Sequence, residues 1–301
     1  ERFVKHNETD LDIKDWKDHR RVFYDVLKTA EESYRISVKR IDTTTDDVNQ
    51  SAEKIQENWK IFTDNINLHI TGDRRERLLE FYTKHQDELC MMPASHKKAY
   101  HNAFPGGYID HVNRVVEGAQ KLHKVWGEME VDTTTYTYEE LIFSAINHDL
   151  GKMGDGEEYS HIPSKDEWRK KNMGEMYQFN KKIAYMSVPD RSIFLLTQEG
   201  IKLTYNEHLA IKLHDGLYDP ANESYFKSFM VETKPRTSLI YIIHHADMMA
   251  ARIEFEKEWL PTFKNSVDEP KKNYTFRSNK KTTTKSKALG TIKSEGLKNL
   301  F

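Results

Sequence analysis

Apolar side chains recur every three or four positions along most of the chain, which is the spacing of amphipathic helices. Five stretches show this spacing most clearly: 15–34, 46–70, 73–90, 107–126 and 235–259. Another helix is expected to begin at Tyr138. Strand-like segments are weak, the best being 182–188 and a shorter one at 159–162. The pattern therefore predicts an all-α protein.

The chain divides into three predicted regions. Residues 1–90 are expected to form a helical N-terminal region, residues 91–260 a helical body, and residues 265–301 a flexible basic tail. The tail has nine Lys and Arg against three Asp and Glu, a net charge of +6 that leaves −8 on the remainder. Its last six residues, from Gly296 to Phe301, predict docking into a groove of a partner protein, with packing on the chain's own body as the alternative.

Composition narrows the classes of function. Charged residues make up 31% of the chain, the mean hydropathy is −0.80, and no run approaches about 18 apolar residues, so we expect no membrane segment. A body at −8 disfavours tight, sequence-independent binding of long nucleic acids and favours a small phosphorylated substrate. With Cys90 as the single cysteine, an intrachain disulfide and a zinc site with several thiolates are excluded.

The expected compartment is the cytoplasm. The first residues have neither the apolar run nor the small-residue cleavage site of a secretory signal. The high usage of Lys, Asn, Asp and Thr also suits a viral gene, in which case the compartment is the host cytoplasm. The oligomeric state is left open, with a homo-oligomer among the alternatives.

Three predicted helices place polar side chains where an apolar face continues. His148 and Asp149 extend the apolar face of the helix that begins at Tyr138, and Asp247 does the same in the helix at 235–259. His111 borders the apolar stripe of the helix at 107–126. A buried aspartate is costly unless it is paired or binds a metal ion. For Asp247, the alternative is a buried salt bridge with one of two arginines, Arg252 or Arg114.

In order, these residues resemble the H…HD…D signature of the HD superfamily of metal-dependent phosphohydrolases. Pro93-Ala94-Ser95 and the sequence HNAFPGGYIDH at 101–111 are similar to the PAS…HHAYPGGLLEH motif of one branch. HDLGK at 148–152 is similar to the second motif of that branch, and HHADMMAA at 244–251 to its last helix. The resemblance covers 93–254, about half of the chain, and implies an HD-domain-like helical bundle.

The resemblance also implies roles for individual residues. One divalent ion per chain is expected, and the ligand types suit Mn, Fe, Mg, Co, Ni or Zn. The implied metal ligands are His111, His148, Asp149 and Asp247. Asp149 is also a candidate for orienting the attacking water, and Lys152 for offsetting charge on the phosphate, with a plain surface lysine as the alternative. His101 is a second candidate for substrate contact, and two further acidic residues are candidates for water activation, Asp155 and Glu157.

A second metal ion is left open. Members of the family with two metals carry additional histidines, and His214 occupies one of those positions. At the other position the chain reads Ser187-Val188-Pro189-Asp190, so Asp190, or His161 from an irregular segment, would have to substitute. Because of this departure, we expect one ion.

The implied function is hydrolysis of a phosphate ester or anhydride of a nucleotide or similar small molecule. A 3′–5′ exonuclease or other phosphodiesterase is the first alternative, since an exoribonuclease branch has similar flanking residues. A non-catalytic adaptor that keeps its metal for stability is the second, and a two-iron oxygenase is the third. An open coordination position beside the metal would distinguish an enzyme from an adaptor.

Overall fold

The computed structural model describes residues 45–261, and this part of the chain is mostly helical, as predicted. The predicted helix at 15–34, the basic tail at 265–301 and its docking segment lie outside the described residues. Within them, the α-helices are α1 (Thr45–His69), α2 (Gly72–Lys84), α3 (Gln86–Met91), α4 (Gly107–Glu128), α5 (Tyr138–Asn147), α6 (Glu167–Met173), α7 (Val188–Gln198), α8 (Tyr205–Lys212), α9 (Glu223–Phe226) and α10 (Leu239–Glu254).

Shorter elements connect these helices. There are 3₁₀ turns at Leu150–Met153, Gly216–Tyr218, Pro220–Asn222 and Val231–Thr233, and a π-helical turn at Phe255–Trp259 extends α10. Two short strands, β1 (His161–Pro163) and β2 (Tyr177–Phe179), pair antiparallel with His161 opposite Phe179. The weak strand signal at 159–162 thus overlaps β1.

The strand predicted at 182–188 is wrong, because Val188 begins α7 and the residues before it are irregular. Two local signals set this helix start. Ser187 is the N-cap, and its hydroxyl accepts the backbone N–H of Asp190 at 3.3 Å. Pro189 lies in the first turn, where its fixed φ angle suits a helix and its missing N–H costs nothing. These signals outweigh the weak strand signal of the segment.

Two helices near the centre of the molecule begin with a capping box. Thr137 Oγ1 accepts the N–H of Glu140 at 3.1 Å, and Glu140 Oε2 accepts the N–H of Thr137 at 2.7 Å. Thr204 and Glu207 repeat the pattern at the start of α8, at 3.2 and 2.8 Å. These boxes determine where α5 and α8 begin. At its other end, α5 stops at Asn147, and His148 is the C-cap.

The core is built around α4 and α10, which make the most extensive contact between any two described helices. Gly118 permits this close approach, since a Cβ atom there would lie 2.9 Å from Met249 Cε and 3.5 Å from Ala246 Cβ. Phe62 of α1 and Leu78 of α2 lie in the same buried cluster as the α4 and α10 residues. The described part of the N-terminal region therefore shares its core with the helical body. No helix within residues 45–261 has the length and apolar character needed to cross a bilayer.

Candidate metal centre

The centre forms at the end of α5, where the chain turns sharply. His148 closes the helix, and Asp149 leads into the 3₁₀ turn Leu150–Met153. Ser192 of α7 holds that turn, because its hydroxyl accepts the N–H of Gly151 at 2.7 Å and lies 3.1 Å from the carbonyl oxygen of His148. The side chains of His148 and Asp149 are almost fully buried, and they point toward the packed pair of α4 and α10.

The structure brings together all four residues predicted to bind a metal. His111 Nε2 of α4 lies 3.1 Å from Asp247 Oδ1 of α10 and 3.6 Å from Asp149 Oδ2. His148 Nε2 lies 3.4 Å from Asp149 Oδ2 and 3.9 Å from Asp247 Oδ1. Ligand atoms about 2.1 Å from a shared ion are themselves about 3.0 to 3.4 Å apart in octahedral or tetrahedral geometry. The ligand atoms of His111, His148 and Asp149 lie close enough together to hold a metal ion, and Asp247 belongs to an adjoining group with His148 and His214.

The histidines present the right nitrogen to such an ion. His148 Nδ1 donates to the carbonyl of Ala145 at 2.8 Å, and His111 Nδ1 donates to the carboxylate of Glu254 at 3.1 and 3.2 Å. With Nδ1 as the donor in each ring, Nε2 is the nitrogen that faces the aspartates. Both Nε2 atoms are buried and have no hydrogen-bond partner among the described residues. A ring nitrogen that faces a carboxylate needs a positive charge between the two atoms, either a proton or a metal ion, so this donor set fits a metal ion.

The charges at the centre also favour a cation. Burial opposes the ionisation of Asp149, but Lys152 and His148 more than offset it and hold the pKa of this carboxyl well below its usual range. The pKa of Asp247 is also lowered, because His111 and His148 outweigh the effect of burial. Burial likewise opposes a charge on His111, yet Glu254 and Asp247 raise its pKa to about 10. Both aspartates are therefore ionised at neutral pH and attract a cation, and a metal ion that binds here would displace the proton of His111.

Glu254 is a part of the centre that the sequence analysis missed. Its side chain is 1% exposed, accepts from His111, and also accepts from Arg114 Nε at 3.1 Å. Arg114 in turn donates to Asp110 at 2.9 Å. A carboxylate behind a metal-binding histidine orients the ring and raises its basicity. The signal that could have found Glu254 is its spacing, since it lies seven residues after Asp247 on the same face of α10.

The alternative partners considered for Asp247 are engaged elsewhere. Arg114 pairs with Glu254 and Asp110, and Arg252 Nε pairs with Glu256 at 2.8 Å. Within the described residues, the ion pairs of Asp247 are with histidines at the centre. A buried salt bridge with an arginine therefore does not account for its position.

Two of the predicted substrate contacts lie beside the metal ligands. Lys152 Nζ lies 2.5 Å from Asp149 Oδ2, and its side chain is only 14% exposed, so it is not a plain surface lysine. The ring of His101 lies 4.7 Å from the ring of His111, and its buried Nε2 has no partner among residues 45–261. Burial, aided by Lys152, holds the pKa of His101 well below its usual value, which keeps this ring neutral.

The candidates for a second metal site are only partly brought together. His214 Nε2 lies 3.5 Å from Asp149 Oδ1 and 3.7 Å from Asp215 Oδ1, and His214 forms a second cluster of ligand atoms with His148 and Asp247. Asp190 is instead half-exposed and pairs with Lys212 Nζ at 2.6 Å. The ring of His161 packs against two other rings, those of His96 and Phe179, at centroid distances of 6.3 and 5.0 Å.

The acidic candidates for water activation lie in a loop. Asp155 Oδ1 accepts the backbone N–H groups of Glu157 and Glu158 at 3.0 and 2.8 Å, which closes a turn. Asp155 is exposed, and no hydrogen bond or ion pair described for residues 45–261 links it or Glu157 to the four ligand residues. The structure therefore places both carboxylates in the loop after the Leu150–Met153 turn rather than among the ligands.

The centre is open on one side. The side chains of His111 and His148 are fully buried, and that of Asp149 is 4% exposed, whereas that of Asp247 is 20% exposed. Asp247 is therefore the candidate ligand that lies nearest to solvent. No protein-family model, curated protein or solved structure matches this chain at a level that would indicate homology.

Proposed function

We propose that this chain is an HD-type, metal-dependent phosphohydrolase that acts on a small phosphate ester or anhydride. The observation that carries the proposal is the position of two buried histidine nitrogens, Nε2 of His111 and of His148, which face two ionised aspartates across ligand distances. The motif resemblance of residues 93–254 supports the same reading. The open edge at Asp247 favours an enzyme over an adaptor, because a purely structural metal site is closed.

In this proposal the metal supplies Lewis acidity and lowers the pKa of a bound water. The ligand residues hold it, and Asp149 also orients the attacking water by accepting a hydrogen bond from it. Lys152 stays cationic beside Asp149, since the carboxylate overcomes the effect of burial and raises the pKa of the lysine. Its ammonium offsets charge that develops on the phosphoryl oxygens, and neutral His101 contacts the phosphate. The P–O bond to the leaving group would break as a bond from phosphorus to the water oxygen forms, and the proton that the water loses would balance the proton that the leaving oxygen takes up.

The test combines metal analysis with a phosphate-release screen of nucleoside mono-, di- and triphosphates in the presence of Mn²⁺. Because one set of four ligands is proposed, we expect about one equivalent of metal in the wild-type protein. We also expect phosphate release from one class of nucleotide. Asp149→Asn removes a ligand charge at nearly constant volume, so metal content and phosphate release should each fall by at least about 100-fold.

The matched control is Asp64→Asn, which removes an exposed aspartate that pairs only with Lys60 on the surface of α1. This variant should keep wild-type metal content and activity. Full metal content in Asp149→Asn would show that the ligand assignment is wrong. Bound metal without release from any nucleotide would favour the phosphodiesterase or adaptor alternatives.

A further inference from the structure

A pocket of about 360 Å³ lies on the exposed flank of α10, outside the metal centre. Four of its residues, at positions 241, 244, 245 and 248, share one face of α10 by their spacing of three and four. The opposite wall comes from the Gly216–Tyr218 turn and from α9. The full lining is Leu217, Tyr218, Phe226, Tyr241, His244, His245 and Met248.

Aromatic rings dominate this pocket, and most of them hold one another in place. Phe226 meets Tyr241 edge to face at 5.5 Å between ring centroids. Trp126, behind the pocket, lies 6.5 Å from Tyr241 in a stacked arrangement and 5.6 Å from His245. Tyr218 differs, because 78% of it is exposed at the pocket rim. The pocket thus has a floor of packed aromatic rings and one exposed ring at its rim.

The pocket adjoins the open side of the metal centre. Asp247 is the most exposed of the four ligand residues, and His244 and Met248 are its neighbours on the surface of α10. His244 Nδ1 donates to the backbone carbonyl of His214 at 2.7 Å. The pocket and Asp247 therefore lie on adjacent parts of the surface of α10.

The turn after His214 ties the two sites together more closely. Gly216 has φ +55°, and a Cβ atom at this position would overlap the His244 ring. A glycine is thus required for the turn to lie against α10. One short segment therefore carries both an imidazole of the metal cluster, His214, and the pocket wall at Leu217 and Tyr218.

We propose that this pocket binds the planar base of a nucleotide whose phosphate lies at the metal centre, an inference that rests on the proposed phosphohydrolase function. Aromatic walls suit a base because each base has a π face for stacking. The volume lies within the usual range for small-molecule pockets of about 300 to 1,000 Å³. The polar edges of Tyr241 and His244 add hydrogen-bonding atoms that an aliphatic ligand would not use.

The test compares the 5′-monophosphates of adenosine, guanosine, cytidine and uridine with ribose 5-phosphate, which has the same phosphoester but no base. We expect kcat/KM for the preferred nucleotide to exceed that for ribose 5-phosphate by at least about 10-fold. Tyr218→Ala should lower kcat/KM for that nucleotide about 5- to 100-fold, the effect of losing one stacked ring. The variant should leave ribose 5-phosphate unchanged. Tyr205→Ala is the matched control, since Tyr205 is 76% exposed and lies outside the pocket.

Binding of the same nucleotides to metal-free protein, measured by calorimetry, separates failure of the pocket from failure of the proposed function. If no substrate releases phosphate but a nucleotide binds and Tyr218→Ala weakens it, the base site stands and the hydrolase proposal fails. If nucleotides and ribose 5-phosphate are hydrolysed equally well, the hydrolase stands and the base site is overturned. An unchanged nucleotide affinity and kcat/KM in Tyr218→Ala would also overturn it.

Discussion

Glu254 offers the sharpest test of the metal centre, because it touches a ligand residue without being one. Its buried carboxylate accepts from His111 Nδ1 at 3.1 and 3.2 Å and from Arg114 Nε at 3.1 Å. Glu254→Gln keeps the size of the side chain and one acceptor oxygen. It removes the negative charge and places an amide donor close to the N–H of His111. The substitution should therefore make His111 a weaker ligand while leaving it in the cluster.

The expected magnitude follows from these contacts. Loss of a carboxylate behind a metal-binding histidine weakens metal binding about 10- to 100-fold, or about 1.4 to 2.7 kcal/mol. In the metal-free protein, two charge-assisted hydrogen bonds become ordinary ones or are lost. That change should lower the free energy of unfolding by about 1 to 2 kcal/mol, which leaves the variant folded. The two effects are separable because one is measured on folded protein and the other by denaturation.

The assay is competition for Mn²⁺ between the protein and a chelator of known affinity, followed by urea denaturation of the metal-free protein. Glu256→Gln is the matched control, since it makes the same substitution two residues away at an exposed ion pair with Arg252. It should change neither quantity by more than about 0.5 kcal/mol. A Glu254→Gln variant that binds Mn²⁺ as tightly as the wild type would refute the assigned role of Glu254 and weaken the case for His111 as a ligand.

Two further predictions concern stability, measured by urea denaturation of the metal-free protein. Gly216→Ala should lower the free energy of unfolding by about 1 to 3 kcal/mol more than Gly72→Ala does. Both glycines have positive φ, but only Gly216 has a ring packed where a Cβ would lie. Equal losses of stability in the two variants would contradict the close packing at Gly216. Burial, with Lys152 and His96 adding to it, lowers the pKa of His161 to about 4. The stability that neutral His161 provides is therefore complete above its unfolded pKa of about 6.5 and is lost as pH falls toward 4. His161→Asn should reduce the stability loss between pH 7 and pH 4.5 by about 2 kcal/mol, whereas an unchanged loss would show that His161 titrates normally.

Much of the helical pattern could be predicted from the sequence, because it depends on neighbouring residues. The expected helix at 46–70 is observed as Thr45–His69, and that at 107–126 as Gly107–Glu128. The segment at 73–90 is divided into Gly72–Lys84 and Gln86–Met91. The strand expected at 182–188 was wrong because the cap and the proline that start α7 determine the local structure there.

The candidate ligands were also identifiable before the structure was known. His148, Asp149 and Asp247 continue apolar faces, and the cost of burying such groups marks them as paired or metal-binding. The motif resemblance added His111 and Lys152. The sequence did not show which carboxylates lie close to these residues. Asp155 and Asp190 were candidates for the site, but the structure places both elsewhere.

The sequence by itself determined which face of each helix is buried and which polar residues interrupt those faces, since both follow from a period of 3.6 residues within one element. Only the tertiary structure decided which faces meet. The hydrogen bond between the side chains of His111 and Glu254 joins residues that are 143 positions apart in the sequence. It depends on the close approach of α4 and α10 at Gly118. The aromatic pocket likewise combines α10 with a turn whose position depends on Gly216 and His244. Such contacts depend on how the helices pack, and helical periodicity carries no information about the partner of a given face.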